Sequence, residues 1–123
     1  MGDLTKHFFK KEFACKCGCG YGDISVELVK KLQAIRDFCG FPLVINSGCR
    51  CVRYNKKVGG KVNSAHTRGL ATDIKAIASQ TKFTIIKGAI QSGFQRIGIY
   101  PQFIHLDIDP EKPQGVIWVG GKD

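Results

Sequence analysis

Two histidines and an aspartate, carried by two separate segments, together have the chemistry of a metal site. The segment SAHTRGLATD holds His66 and Asp73 with small residues between them, and the later segment FIHLDID holds His105. Two imidazoles and a carboxylate suit zinc, and three protein ligands leave one tetrahedral position open for water. Taken singly, His66 is ordinary as a satisfied polar histidine and Asp73 as a turn or cap residue. The combination predicts a catalytic zinc site.

The segment FIHLDID also carries a row of ligand-type side chains. In a β-strand its residues alternate, so His105, Asp107 and Asp109 would share one face while the apolar residues share the other. A solvated polar face is the ordinary alternative for this strand alone. The nearby His-Asp pair favours a functional row.

Helical periodicity marks two segments that would support these residues. Ser25 suits the N-cap of a helix that ends at Gly40, because apolar residues recur at helical spacing between them. Ser79 suits the cap of a second helix over residues 80–93.

Short β-rich segments surround the two helices and set the fold class. The expected strands are FPLVINSG, LATDIKAI, QRIGIY, FIHLDID and VIWVG. This order predicts an α+β fold, with a mainly antiparallel sheet flanked by helices. A chain of 123 residues is enough for one hydrophobic core, so we expect a single domain over residues 1–123.

The composition and the net charge restrict the classes of molecule that the protein could bind. The formal charge of +9 would attract anionic polymers such as nucleic acid, anionic lipid or acidic cell-wall polymers. The basic residues are scattered in pairs without interleaved aromatics, which argues against nucleic-acid binding. No apolar run has the length of a signal peptide or of a membrane span of about 20 residues. We therefore expect a monomer without a membrane span, synthesised in the cytoplasm without a signal peptide.

The longest motif resembles a known family. SAHTRGLATD fits the pattern Ser-x-His-x-x-Gly-x-Ala-x-Asp, and with a later strand histidine it resembles the zinc D-Ala-D-Ala carboxypeptidase and endopeptidase family. That family cleaves peptidoglycan stem peptides and shares its fold with hedgehog signalling domains. The segments EFACKCGCG, INSGCRCVRYN and GIYPQFIHLD resemble its short phage- and bacterium-associated branch. The resemblance implies a hedgehog/DD-peptidase-like fold and action at the cell wall or in the periplasm.

The same resemblance implies a cofactor and its ligands. Zn²⁺ would be held by His66, Asp73 and His105. Gly69 and Ala71 would then let the chain turn tightly and leave room for the metal near the backbone.

Two further positions match the family or lie beside its ligands. Arg50 matches the arginine of a Ser-Gly-Tyr-Arg element, so it would bind a substrate carboxylate or stabilise an oxyanion; a surface salt bridge is the alternative. Cys49 replaces the usual tyrosine, so local packing should differ. Ser64 would either support the ligands or bond to its own backbone.

The general base is less obvious. Many relatives carry an acidic residue three positions before the last histidine, where this chain has Gln102, and an amide cannot act as a base. The resembled branch carries His-x-Asp instead. Asp107 is therefore the predicted catalytic base, with Asp109 as the fallback.

Six cysteines leave three alternatives open, namely reduced thiols, disulfides or a second zinc site. They are Cys15, Cys17, Cys19, Cys39, Cys49 and Cys51. A single residue between cysteines crowds a tetrahedral site, which argues against the usual zinc knuckle. The resemblance implies that Cys51 lies near the N-terminal cluster, and Cys39 suits a place in the core.

Three functions follow from these observations. The first is a zinc metallopeptidase that hydrolyses amide bonds in peptidoglycan stem peptides. The second is a non-catalytic zinc-containing cell-wall binding module of the same fold, which Gln102 favours. The third and weakest is a cysteine-zinc nucleic-acid protein.

Overall fold

A computed structural model describes residues 2–121 and has the predicted α+β architecture. The α-helices are α1 (Val26–Cys39), α2 (Val52–Lys57) and α3 (Ser79–Gln91). The strands are β1 (Ile45–Ser47), β2 (Ala71–Lys75), β3 (Arg96–Ile99), β4 (Phe103–Asp107) and β5 (Val116–Val119). Two short 3₁₀ helices, Lys10–Phe13 and Ala65–Arg68, complete the described elements.

The predicted ends of α1 agree with the structure, whereas the predicted N-cap of α3 is wrong by one residue. The Ser25 hydroxyl accepts a hydrogen bond from the Leu28 amide at 3.3 Å, and Gly40 ends α1 with a φ of 74°. The N-cap of α3 is Ala78, which has no side-chain cap bond. The predicted cap at Ser79 is therefore wrong, because Ser79 already lies inside the helix.

The five strands form one sheet in the order β1-β2-β4-β3-β5. Neighbouring strands are antiparallel except β5, which runs parallel to β3. The prediction of a mainly antiparallel sheet is thus confirmed. Parallel pairing needs a crossover rather than a tight turn, and the connection after β4 supplies it.

One face of the sheet and two helices enclose the hydrophobic core. Ile104 and Leu106 of β4 are fully buried, as the alternation of FIHLDID predicted. They belong to an apolar cluster that also contains Leu32 of α1 and Ile85 of α3. The other face of β4 is therefore left to carry the polar residues. Among the described residues, no helix is both long enough and apolar enough to cross a lipid bilayer.

Candidate functional site

The register of β2 and β4 brings the predicted ligand pair together. Asp73 lies directly opposite His105 in the antiparallel ladder. Side chains at directly opposed positions point to the same side of the sheet, so the pair is formed by strand pairing alone. Asp73 Oδ1 lies 2.9 Å from His105 Nδ1.

His66 reaches the same point from the 3₁₀ helix that precedes β2. Its Nε2 lies 3.4 Å from Asp73 Oδ1, and the rings of His66 and His105 meet edge to face with centroids 5.3 Å apart. The imidazole of His66 and the carboxylate of Asp73 are both nearly inaccessible to solvent. One donor atom from each of the three residues lies within 4.8 Å of the others.

Hydrogen bonds on the far side of each ring fix which nitrogen faces the centre. His66 Nδ1 lies 2.7 Å from the Gly48 carbonyl, which can only accept, so Nδ1 carries the proton and Nε2 keeps its lone pair. His105 Nε2 lies 2.7 Å from Asp107 Oδ2 and donates to that carboxylate. His105 Nδ1 is therefore the nitrogen that faces Asp73.

Three electron-pair donors thus converge without a protein N–H group between them when both rings are neutral. Two imidazole lone pairs and a carboxylate oxygen repel one another unless a cation lies between them. Donors bound to one tetrahedral zinc at about 2.0 to 2.1 Å lie roughly 3.3 Å apart; Asp73 Oδ1 lies 3.4 Å from His66 Nε2 and 2.9 Å from His105 Nδ1, on either side of that value. The donor set fits a zinc ion.

Electrostatics holds this centre in an ionised form. Burial raises the pKa of the Asp73 carboxyl, but its close interactions with the His105 and His66 rings outweigh burial and hold that pKa below its usual range. Burial lowers the pKa of His105, but Asp107 and Asp73 raise it by more, so the net shift is upward. The centre therefore attracts a proton or a metal cation to the space between its donors.

Asp107, whose role as general base stays a prediction, lies on the same face as His105 and accepts hydrogen bonds from three groups. The side chain is about 1% exposed. Oδ2 accepts from His105, while Oδ1 accepts from Arg96 Nε at 2.8 Å and from the Asp109 amide at 3.1 Å. Both oxygens are thus occupied, and Asp107 bonds the ring edge of His105 that faces away from Asp73. This geometry favours orientation of His105 over proton transfer from water.

Asp109 lies beyond the end of β4 and forms a buried ion pair. Both of its oxygens accept from the Arg68 guanidinium, and Asp109 is fully buried. Burial raises the pKa of the Asp109 carboxyl, but the bonds from Arg68 lower it by more, so the net shift is downward. These contacts tie the Ala65–Arg68 helix to the end of β4, which indicates a structural role.

Arg50 lies beside the centre, where the motif comparison expected it. Nη2 is 3.5 Å from Asp73 Oδ2, the carboxylate oxygen that does not face the histidines. Its remaining nitrogens bond to Ser47 Oγ at 3.3 Å and to Asn55 Oδ1 at 3.1 Å. The Arg50 side chain lines the cleft and is only 16% exposed, so its contact with Asp73 is not a surface salt bridge.

Ser64 combines the two roles expected of it, whereas the space at Gly69 is used differently from the expectation. The Ser64 hydroxyl accepts from the His66 amide at 3.2 Å, so it both caps the local backbone and supports a candidate ligand. Gly69 has a φ of 71°, and a Cβ there would lie 2.3 Å from the Asp23 carbonyl oxygen. The room left by Gly69 is used by the N-terminal segment rather than by a metal.

A cleft of about 540 Å³ opens above these residues and contains several residues that the sequence did not single out. Trp118 of β5 packs against the His105 ring with centroids 5.5 Å apart, and Gly98 gives it room, because a Cβ at Gly98 would lie 2.7 Å from the indole. The strand pattern alone could not show this contact, since it depends on the parallel pairing of β5. The cleft is rich in cations, which are Arg50, Lys61, Arg96 and Lys112.

Comparisons with known proteins agree with this site. The family model described as Peptidase M15 matches residues 6–107, which include every element from the first 3₁₀ helix to β4. Over 68 residues, 54% of this chain, the sequence is 41% identical to a zinc D-Ala-D-Ala carboxypeptidase of Streptomyces albus G. That match spans 26% of the relative's own length. Because the family model covers most of the chain, including both segments that carry the candidate ligands, the chain belongs to the peptidase M15 family.

Proposed function

We propose that this protein is a zinc-dependent peptidase that hydrolyses amide bonds in peptidoglycan stem peptides. The observation that carries the proposal is the convergence of three electron-pair donors that line a cleft: Asp73 Oδ1 lies 3.4 Å from His66 Nε2 and 2.9 Å from His105 Nδ1. Family membership and the name of the Streptomyces relative support zinc as the cation and a D-Ala-D-Ala peptide as the type of substrate.

When bound, zinc would supply a Lewis acid that polarises the scissile carbonyl and lowers the pKa of water. The chain's own residues would prepare that chemistry. Gly48 and Asp107 each accept the far-side proton of one histidine, so both rings are held in the tautomer that offers a lone pair. A ligand shell that is already oriented needs no reorganisation when the substrate enters.

Arg50 is proposed to bind the substrate. Its guanidinium is held by Ser47 and Asn55 and lines the cleft beside Asp73. A fixed guanidinium can form paired hydrogen bonds to a terminal carboxylate or stabilise negative charge at the scissile carbonyl. The other cleft cations would add a favourable field for an acidic stem peptide, and the net charge of +9 would favour retention on an anionic cell wall.

The finer parts of the proposal concern where the protein acts. We propose that it works as a monomer at the cell wall or in the periplasm, in the manner of the short phage- and bacterium-associated enzymes that its motifs resemble.

A non-catalytic binding module is the second candidate, and one observation favours it. Among the residues that line the cleft, the carboxylates are Asp73 and Asp107, and both are already engaged by histidine and arginine side chains. A base for proton transfer would have to exchange one of these bonds for a bond to water.

Hydrolysis of purified peptidoglycan separates the two candidates. Zinc-loaded protein should release new amino groups from isolated sacculi, and Asp73→Asn should abolish the release while leaving the protein folded. Arg50→Ala should lose more activity than Arg50→Lys, because lysine retains the charge without the fork. Sedimentation with sacculi without release of amino groups would support the binding module instead.

A further inference from the structure

A second group of metal-ligating side chains lies outside the cleft. Cys15, Cys17 and Cys19 of the N-terminal segment meet Cys51, which caps α2, and their sulfur atoms all lie within 4.8 Å of one another. None of these residues belongs to the His-Asp-His centre. The proposed peptidase chemistry makes no use of them.

The spacing of the sulfur atoms is that of ligands around one ion. Cys15 Sγ lies 3.4 Å from Cys17 Sγ, which lies 3.7 Å from Cys51 Sγ. Sulfurs bound to a tetrahedral zinc at about 2.3 Å lie roughly 3.8 Å apart, whereas a disulfide needs about 2.05 Å. All six cysteines are free thiols in the structure. The distances match a shared cation better than a pair of disulfides.

Glycines remove the steric objection to the Cys-x-Cys-x-Cys pattern. In an extended strand, alternate side chains are more than about 6 Å apart, too far to share a metal. The chain turns at residues 16–17 and bends at residues 18–19, and Gly18 and Gly20 adopt φ values of 81° and 93° that favour glycine. A hydrogen bond of 3.2 Å from the Gly18 amide to the Cys15 carbonyl closes the first turn.

The surroundings of the sulfurs suit thiolates. The amides of Cys51 and Tyr54 each donate to a sulfur at 3.4 Å, to Cys15 and Cys51 respectively. A depression beside Cys17 is lined by three cationic side chains, Lys16, Arg53 and Lys57. Four thiolates around a divalent cation leave an excess of negative charge, which these groups would offset.

We infer that Cys15, Cys17, Cys19 and Cys51 form a structural site for a thiophilic divalent cation. Zinc is the ion used to test this inference below. The ligands come from two segments 32 residues apart in the chain, counted from Cys19 to Cys51, so the ion would act as a cross-link.

The cross-link would fix the position of residues 48–51, a backbone segment that contacts the candidate zinc ligand His66 and carries Arg50. Within residues 48–51, the Gly48 carbonyl accepts from His66, the Cys49 amide donates to the Phe13 carbonyl at 2.8 Å and the Arg50 amide donates to the His66 carbonyl at 3.0 Å. Cys51 ends this segment at the cysteine cluster. The ion would therefore hold Arg50 in place from outside the cleft.

Zinc counting in matched variants tests the inference separately from peptidase activity. Reduced, reconstituted wild-type protein should contain about two zinc ions per chain. His66→Ala/His105→Ala and Cys17→Ser/Cys19→Ser should each contain about one, and Cys39→Ser, whose thiol lies outside the cluster, should retain both. Cys17 and Cys19 are exposed, so their replacement should leave the core intact.

Cobalt substitution supplies a second readout that does not depend on the cysteine variant folding. The His66→Ala/His105→Ala protein should still show the intense near-ultraviolet band of thiolate-to-cobalt charge transfer. Absence of that band, or an unchanged zinc content in Cys17→Ser/Cys19→Ser, would overturn the inference. So would disulfides among these four residues that are already present in protein purified without oxygen, as seen by intact mass under non-reducing conditions.

Discussion

Replacing Asp107 with asparagine distinguishes an orienting carboxylate from a general base. Asp107 accepts three hydrogen bonds, from His105, Arg96 and the Asp109 amide. Asparagine has one acceptor oxygen and one donor group. If the oxygen faces Arg96, the amide group forces His105 Nε2 to accept, and Nδ1 then carries the proton and offers no lone pair. If the asparagine side chain is flipped, its NH₂ group faces the N–H group of Arg96 and the two donors repel each other.

The contacts of Asp107 determine how much zinc affinity and how much stability Asp107→Asn should lose. A metal-bound histidine that loses its orienting partner typically binds its metal about 10- to 100-fold more weakly, and we expect that loss of zinc affinity in Asp107→Asn. Asp107 and Arg96 are also a buried ion pair, with side chains 1% and 11% exposed. Breaking such a pair costs roughly 3 to 5 kcal/mol, and since Arg96 keeps a bond to the Pro113 carbonyl, we expect about 3 kcal/mol.

A zinc titration against a chelator of known affinity gives the first quantity, and urea denaturation gives the second. Arg96→Met is the matched control, because it breaks the ion pair and leaves in place the hydrogen bond that His105 donates to Asp107. This control should lose stability without a comparable loss of zinc affinity. Unchanged zinc affinity in Asp107→Asn together with a loss of turnover of several orders of magnitude would refute the orienting role and restore Asp107 as the base.

Three further predictions follow from the structure. Among the residues that the structure describes, Arg68→Met leaves the buried Asp109 with Lys112, 3.7 Å away, as its one cationic partner. The free energy of unfolding should therefore fall by about 3 kcal/mol, and a loss below about 0.5 kcal/mol would show that the pair is unimportant. The pKa of Asp109 is lowered in the folded state, so its carboxylate stabilises the fold above the usual carboxyl pKa of about 4 and loses this effect as the pH falls through the folded pKa. Arg68→Met should therefore weaken the dependence of the free energy of unfolding on pH in the acid range, as measured by denaturation at a series of pH values. Gly98→Ala should displace the Trp118 ring at a cost of about 1 to 3 kcal/mol, visible as a shift in the emission of the single tryptophan, and an unchanged spectrum would contradict the close contact. Removal of metal by a chelator should lower the melting temperature, and zinc but not magnesium should restore it, since only zinc suits nitrogen donors.

Local patterns predicted what local forces decide. The Ser25 cap and the apolar spacing of α1 depend on residues within a few positions of each other, and both are confirmed. The alternation of β4 likewise predicted the buried Ile104 and Leu106. Ser79 was misplaced by one position because a serine in the first turn of a helix looks the same in sequence as a cap.

Long-range contacts could not be read from the same patterns. The alternation of β4 places Asp107 beside His105, but only the three-dimensional contacts show that it bonds the outer nitrogen of the ring. The motif suggested metal clearance at Gly69, whereas the carbonyl of Asp23, from a distant part of the chain, occupies that space. The parallel pairing of β5, which brings Trp118 to His105, follows from the whole sheet.

Mass spectrometry of defined muropeptides is the most direct test of the proposed zinc peptidase. Purified pentapeptide and cross-linked muropeptides would be incubated with zinc-loaded wild-type protein and, side by side, with the His66→Ala/His105→Ala variant. For the wild type we predict two products from cleavage at a single amide bond, whose summed mass exceeds that of the muropeptide by one water, and for the variant we predict intact muropeptides. Intact muropeptides with a wild-type protein that demonstrably holds zinc at His66, Asp73 and His105 would contradict the peptidase function.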